Sequence, residues 1–255
     1  MPFVFANQSG WVGFFCINED FRGKGYGRQL FQACMDHFTL HSTRFIGLDA
    51  VTQQKETYMR RGFVAKGTIR LVTRRSLQEA PLPKSDFTPC PSIASETKYD
   101  LVDIRDLPLT GLFRSDLECS GLERVRLWTN EALFERPDLF GYGIISKEDK
   151  NELQGWILVR RCSLGFRFGP LYAETVEIAS KLLEESLKRC DGGGSMIAEV
   201  WMGNQESLGL FTKYGWVPTG IDYHRMWLDG RVPGEQQEGG KAEKAMFAIF
   251  DAGEG

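Results

Sequence analysis

No run of about 18 apolar residues occurs in the 255-residue chain, which argues against a membrane-spanning helix. Positive charge is not in excess either: 31 Lys and Arg face 34 Asp and Glu, for a formal net charge of −3. A broad nucleic-acid-binding face normally shows as a basic surplus, so none is expected. A local anion site survives this argument, because it needs only a few backbone amides and a cation. Close cysteine pairs are missing as well. Cys16, Cys34, Cys90, Cys119, Cys162 and Cys190 lie far apart, which fits reduced, mostly core thiols better than a disulfide frame or a zinc site. His37 and His41 stand four residues apart on an expected helix, but the pattern offers no third ligand nearby, so no metal is expected. Met1 is followed by Pro2-Phe3-Val4-Phe5, without a basic segment or a long apolar stretch. No signal peptide and no membrane association are expected, and the location expected is cytoplasmic.

What is present begins as a strand, a glycine loop and a helix. Residues 11–17 are rich in aromatic and β-branched side chains and long enough for a buried strand. Residues 28–41 place Leu30, Phe31, Cys34, Phe38 and Leu40 mostly on one helical face. A second strand follows at 45–51, then a short helix at 53–61 stopped by Gly62, then a strand from 63 to 72. Residues 74–98 break the rhythm with four prolines and several serines, and read as a linker.

A second unit starts at Tyr99. Residues 108–134 look mainly helical, with Leu117, Leu122, Val125 and Leu127 as core candidates. Strands are expected at 140–146, 155–161 and 165–168, an amphipathic helix at 175–189, and a turn at 191–195. A strand at 196–202, a helix at 205–214 stopped by Gly215, and a strand at 216–228 complete the pattern. Residues 231–244 read as a mobile loop and 245–250 as a last strand at a sheet edge. The order of elements in 11–70 resembles that in 155–226, down to Tyr58 four residues before Gly62-Phe63 and Phe211 four before Gly215-Trp216. This is a divergent internal repeat.

Most of the functional signal lies in Arg22-Gly23-Lys24-Gly25-Tyr26-Gly27. Three glycines between a strand and a helix let the backbone approach a ligand and aim several amides at one point. The helix that follows presents its positive dipole end to an anion, and Arg22 and Lys24 add formal charge. A dinucleotide fingerprint counted from Gly23 would need its last glycine where Arg28 stands, and no P-loop sequence exists. The competing reading is a tight turn with chance glycines.

The spacing R-x-x-G-x-G, the strand before it, Leu48-Asp49-Ala50-Val51 after it, and Tyr58 with Gly62-Phe63 together resemble the signature of the GNAT superfamily of N-acetyltransferases over about sixty residues. The resemblance implies an α/β fold of α+β type, with two GNAT-like mixed sheets flanked by helices. It implies an acetyl-CoA-binding core at 1–73, a linker at 74–98 and a degenerate GNAT-like domain at 99–255. It implies acetyl-CoA as co-substrate, bound by Phe15, Cys16, Ile17, Arg22, Gly23, Lys24, Gly25, Tyr26, Gly27 and Arg28. The acceptor would be a small-molecule or peptide amine that attacks the thioester directly. The amide of Ile17 would stabilise the oxyanion, and Tyr58 would protonate the leaving thiolate, its alternative role being to pack under the loop. Glu19 and Asp20 are the nearest candidates for a base, and are as readily solvated acids.

Two features depart from the family pattern. The family places three strands and two helices ahead of its fourth strand, whereas about ten residues precede Trp11. The expectation is an absent N-terminal piece of roughly seventy residues, the alternative being that the second unit supplies the missing wall. In the second unit, Gly169-Pro170-Leu171-Tyr172-Ala173-Glu174 stands where a glycine loop belongs, with one amide lost to Pro170 and a negative charge added. Trp201, Trp216, Tyr223 and Arg225 are candidates for a shared acceptor groove. The rival functions are a non-catalytic CoA-binding scaffold, and a nucleotide-binding regulator that uses the same loop.

Overall fold

The computed structural model describes residues 1–82, 98–149, 152–190 and 193–255. In chain order the first unit comprises β1 (Pro2–Val4), β2 (Ser9–Val12), α1 (Tyr26–Leu40), β3 (Phe45–Val51), α2 (Lys55–Met59) and β4 (Phe63–Arg74). The second comprises β5 (Tyr99–Asp103), α3 (Leu109–Ser120), β6 (Leu139–Ser146), β7 (Leu153–Cys162), β8 (Gly165–Ala173), α4 (Val176–Arg189), β9 (Ser195–Trp201), α5 (Ser207–Lys213), β10 (Val217–Leu228), α6 (Lys241–Ala245) and β11 (Met246–Ala248).

Eleven strands form one mixed sheet in the order β1-β2-β3-β10-β4-β9-β11-β8-β7-β6-β5. The α/β class and the repeat are as the sequence implies. Each unit holds a parallel strand–helix–strand, β2-α1-β3 and β8-α4-β9, followed by a short helix and a long strand. The two sheets expected are joined by an exchange of those long strands. β10 lies between β3 and β4, with Arg225 opposite Asp49, and β4 pairs in turn with β9. Each unit's parallel pair is therefore extended by the other unit's last strand.

Helix faces follow the apolar spacing. α1 buries Phe31, Cys34 and Phe38 against Ile46, Leu48, Ala50, Phe63 and Met226, while Leu30 and Leu40 stay exposed. α4 buries Ala179, Leu182, Leu183 and Leu187 in the main core of the second unit. The other face of this part of the sheet carries Trp11 from β2 and Trp227 from β10, covered by Leu122 and Val232.

Several expectations need correction. The first strand stops at Val12 instead of running to Ile17, because Phe14 turns to a φ of +48° and takes the chain out of the ladder. In the 108–134 stretch the buried hydrophobic residues are Leu112, Cys119, Leu122, Trp128 and Leu133, whereas Leu117 and Leu127 are half-buried and Val125 is exposed. Residues 231–244 are an ordered cover with a 3-10 turn and α6, and bury Val232, Gln236 and Ala242. β11 lies inside the sheet between β8 and β9, not at an edge. At the start of the expected linker, Arg74 is buried and donates to the carbonyls of Tyr214 (2.6 Å), Arg75 (2.8 Å) and Ala80 (2.6 Å). Residues 83–97 and the turn's 191–192 lie outside the described residues. Of the five described cysteines three are buried, Cys16 and Cys162 are exposed, and no disulfide joins them.

Candidate functional site

The glycine loop occupies the 13 residues between β2 and α1. Gly23 and Gly25 sit at φ +76° and +85°, a region that costs any L side chain, and Gly25 caps α1 without a side-chain bond. A Cβ added at either glycine meets nothing within 4 Å, so the loop is open on its ligand side. Among the described residues nothing accepts from the amides of Gly23, Lys24, Gly25, Tyr26 or Gly27. Arg22 returns its Nε to the Ile17 carbonyl at 3.0 Å, and Lys24 lies over the Phe21 ring at 5.6 Å. The result is an exposed cluster of unused donors at a helix N-terminus, an arrangement suited to a diphosphate.

β2 and β3 pair in parallel from Ser9↔Phe45 to Trp11↔Gly47 and then diverge. Beyond that point the amides of Phe15, Cys16 and Ile17 donate to nothing among the described residues. A cavity of about 500 Å3 lies here, lined by Phe15, Cys16, Ile17, Arg22, Gly27, Arg28, Gln54, Thr57, Tyr58 and Arg61. The residues named from sequence as cofactor ligands are thus gathered in one place, with Gly23, Lys24, Gly25 and Tyr26 on the adjoining loop. Tyr58 projects from α2 and packs on Phe31 and Phe63, ring centroids 5.9 and 6.1 Å away. Burial pushes its phenol above the ordinary value, with Arg61 opposing, so the group is protonated at neutral pH. Glu19 and Asp20 are exposed on a 3-10 turn. His37 and His41 stack at 4.3 Å, and no group of three or more potential metal ligands occurs among the described residues. No helix among them is long and apolar enough to cross a membrane.

The second unit has a different connection. Residues 169–173 belong to β8, which leaves only Glu174 and Thr175 before α4, with the Thr175 hydroxyl accepting from the Ile178 amide at 3.4 Å. The glycine loop is absent there, not replaced. Its strand divergence is filled by β11, where Met246 pairs with Tyr172 and Ala248 with Val200.

The C-terminal segment then runs from that divergence to the first. The Ile249 amide donates to the Glu199 carbonyl (3.0 Å), the Ala252 amide to Glu199 Oε2 (2.7 Å), and Trp11 Nε1 to the Ala252 carbonyl (3.1 Å). The carbonyls of Ile249 and Gly253 press on Gly169 and Gly13, where an added Cβ would lie 2.2 and 1.8 Å away. Gly169 and Gly13 hold equivalent places in the repeat, and only glycine admits the segment at either.

Of the four groove candidates, Trp201, Tyr223 and Arg225 face this covered side together with Asp49, whereas Trp216 is buried in the core under α4 and α5. Arg225 forms a bidentate pair with Asp49 at 2.9 and 2.7 Å, its guanidinium between Trp11 and Trp201. Glu199 accepts from Arg167 at 2.8 Å, and burial with nearby Asp251 pushes its carboxyl up to about 7. Asp49, Glu199 and Asp251 were not singled out from sequence. Each is a lone acid in an apolar strand or strand-like run, and that is the one local signal that marks a buried charge.

The family profile described as "Acetyltransferase (GNAT) domain" matches residues 4–73, and a second profile of the same description matches residues 113–237. A curated relative, "Holothin acyltransferase" of Pseudoalteromonas sp. (strain SANK 73390), is 29% identical over 191 residues. That match takes in 74% of this chain but 56% of the relative, so the chain spans little over half of that protein's length. Among solved structures, a putative acetyltransferase from Pyrococcus horikoshii superposes with a TM-score of 0.73 at 19% identity, covering 100% of this chain and 74% of that one. A tandem GNAT protein from the clavulanic acid biosynthesis pathway superposes with a TM-score of 0.56 at 14% identity, covering 86% and 74%. These two likenesses speak to the fold. With a GNAT acetyltransferase-domain profile on each repeat, the chain belongs to the GNAT acetyltransferase superfamily, with two such domains in tandem.

Proposed function

We propose that the chain transfers an acetyl group from acetyl-CoA to a primary amine of a small molecule or peptide, using one cofactor site in the first unit. The observation that carries this reading is a single continuous surface. Unused strand amides at 15–17, Gly27 and the protonated phenol of Tyr58 line the same cavity, and the unused amides of 23–26 lie on the loop that adjoins it. The diphosphate would sit on the loop amides, beside Arg22 and Lys24. Pantetheine would lie along Phe15, Cys16 and Ile17 in the divergence between β2 and β3. The amine nitrogen attacks the thioester carbon, the C–N bond forms, and the oxyanion is met by the Ile17 amide. The C–S bond then breaks, and Tyr58 gives its proton to the thiolate. A thiol pKa of about 8.5 makes that sulfur a fair leaving group, so the proton helps without being obligatory. The amine must shed its own proton, and no side chain is assigned to that step.

The second unit contributes architecture: β10 flanks β3, and residues 249–253 close the far side of the divergence. With its own divergence filled by β11 and no glycine loop, it leaves one cofactor equivalent per chain. The name of the holothin relative supports acyl transfer as the reaction class. The test is calorimetric titration with acetyl-CoA, followed by a thiol-release assay across a panel of amines. One equivalent bound and thiol released on amine addition are expected. Binding without release points to the scaffold reading, and absence of binding by folded protein overturns both.

A further inference from the structure

Another cavity, of about 540 Å3, lies between the edge strand β1 and residues 123–127. Both units build its wall: Phe3 and Val4 come from the first, and Val125, Leu127 and Glu254 from the second. The β1 side, residues 2–6, is apolar throughout. The cavity adjoins the strand that carries the amides of residues 15–17. Phe14, which leads into those residues, sets its ring 6.3 Å from that of Phe3. Gly253 meets the same Phe14 ring, where an added Cβ would lie 2.6 Å away, and Glu254 is the next residue. Phe14 therefore joins this cavity to the divergence of β2 and β3.

Four charged side chains line the cavity. Arg124 is already committed: it is 1% exposed and donates to Asp116 Oδ2 at 3.1 Å and to the Glu254 carbonyl at 3.2 Å, which fixes the Glu254 backbone. Glu123 and Arg126 cancel in formal charge, and that leaves Glu254. Its carboxylate makes no ion pair among the described residues, and its Oε2 lies out of water without a hydrogen-bond partner. An unbalanced carboxylate in a cleft with low-dielectric walls draws a cation from solution. A metal ion would need several oxygen ligands, whereas this wall is largely hydrocarbon, so it suits an organic cation. We infer that the cavity is the acceptor site, and that it takes a small molecule whose primary amine is carried on an apolar alkyl or arylalkyl body. This rests on the acyl-transfer reading above. The ammonium form is drawn to Glu254 and held beside the divergence, while the body packs between β1 and residues 125–127. The volume is that of a small-molecule site.

The experiment titrates 2-phenylethylamine and hexylamine by calorimetry into the full chain saturated with CoA, which carries no acyl group to transfer. Ethanolamine and 2-phenylethanol serve as controls. Both apolar amines are expected to bind about tenfold or more tightly than ethanolamine, the worth of burying the apolar body. 2-Phenylethylamine is expected to exceed 2-phenylethanol by about tenfold, the worth of a charge-assisted bond. Glu254→Gln should abolish that second preference and leave CoA affinity unchanged. Val125→Trp, at a side chain 50% exposed, should fill the cavity and weaken both apolar amines about tenfold without a change in Tm. Binding of neither apolar amine, or binding that either variant leaves intact, overturns the inference while CoA binding stands. Failure of CoA itself to bind overturns the cofactor reading. Amine binding without thiol release from acetyl-CoA overturns the acyl-transfer reading, and with it the acceptor role of the cavity.

Discussion

Replacement of Asp49 by alanine is expected to be the most damaging single change on the covered face. Both side chains of the Asp49–Arg225 pair are exposed by 1% or less. Loss of the carboxylate removes two short bonds from Arg225 and leaves a guanidinium between two indole rings, with only Gln236 Oε1 at 3.4 Å as partner. A buried charge stripped of its partner costs about 3–5 kcal/mol, against a total stability of roughly 5–15 kcal/mol for a folded chain. At an m-value of about 2–3 kcal/mol/M, the urea midpoint should fall by about 1–2.5 M. Trp11 and Trp201 flank the pair, so their fluorescence follows the transition. Burial raises the Asp49 carboxyl while Arg225 opposes the shift, and a buried ion pair in general repays little more than its own desolvation. The double replacement D49L/R225M should therefore lie within about 2 kcal/mol of the native chain, far from the sum of the single changes. A cost for Asp49→Ala below about 1 kcal/mol, or additive single and double changes, would refute the argument that this pair welds β10 to β3.

Tyr58→Phe should lower kcat by about tenfold to a hundredfold, at the weak end of general-acid effects, and leave KM for acetyl-CoA within about twofold. Gly25→Val should weaken acetyl-CoA binding about tenfold with little change in Tm, because φ +85° strains a branched residue while the space around it is open. The Glu199 carboxyl is raised in the folded chain to about 7 from an ordinary 4.5, so the folded state holds the proton more tightly. Stability should then decline as pH rises from about 4.5 through about 7 and level off above, a slope in Tm that Glu199→Gln removes.

The loop of residues 22–27, the α1 stripe of Phe31, Cys34 and Phe38, and the glycine stop at Gly62 were all legible in the sequence. Each is a local rule: φ above zero needs glycine, and a buried helix face repeats every three or four residues. The repeat was legible for the same reason. Where local rules were pushed too far they failed. An apolar run from 11 to 17 looks like one strand, yet Phe14 breaks it. Residues 231–244 look polar enough for a mobile loop, yet Val232, Gln236 and Ala242 are held by contacts with distant partners.

By itself, the sequence determined that one glycine loop exists, which diphosphate motifs it cannot be, and that two similar units follow one another. The tertiary structure alone decided which strand completes which unit, because β4 and β10 have the same pattern and pairing depends on register across about 150 residues of intervening chain. It also decided that residues 246–253 fill one divergence and wall the other, a placement governed by the missing side chains of Gly169 and Gly13. A glycine records that something comes close. Only the fold says what.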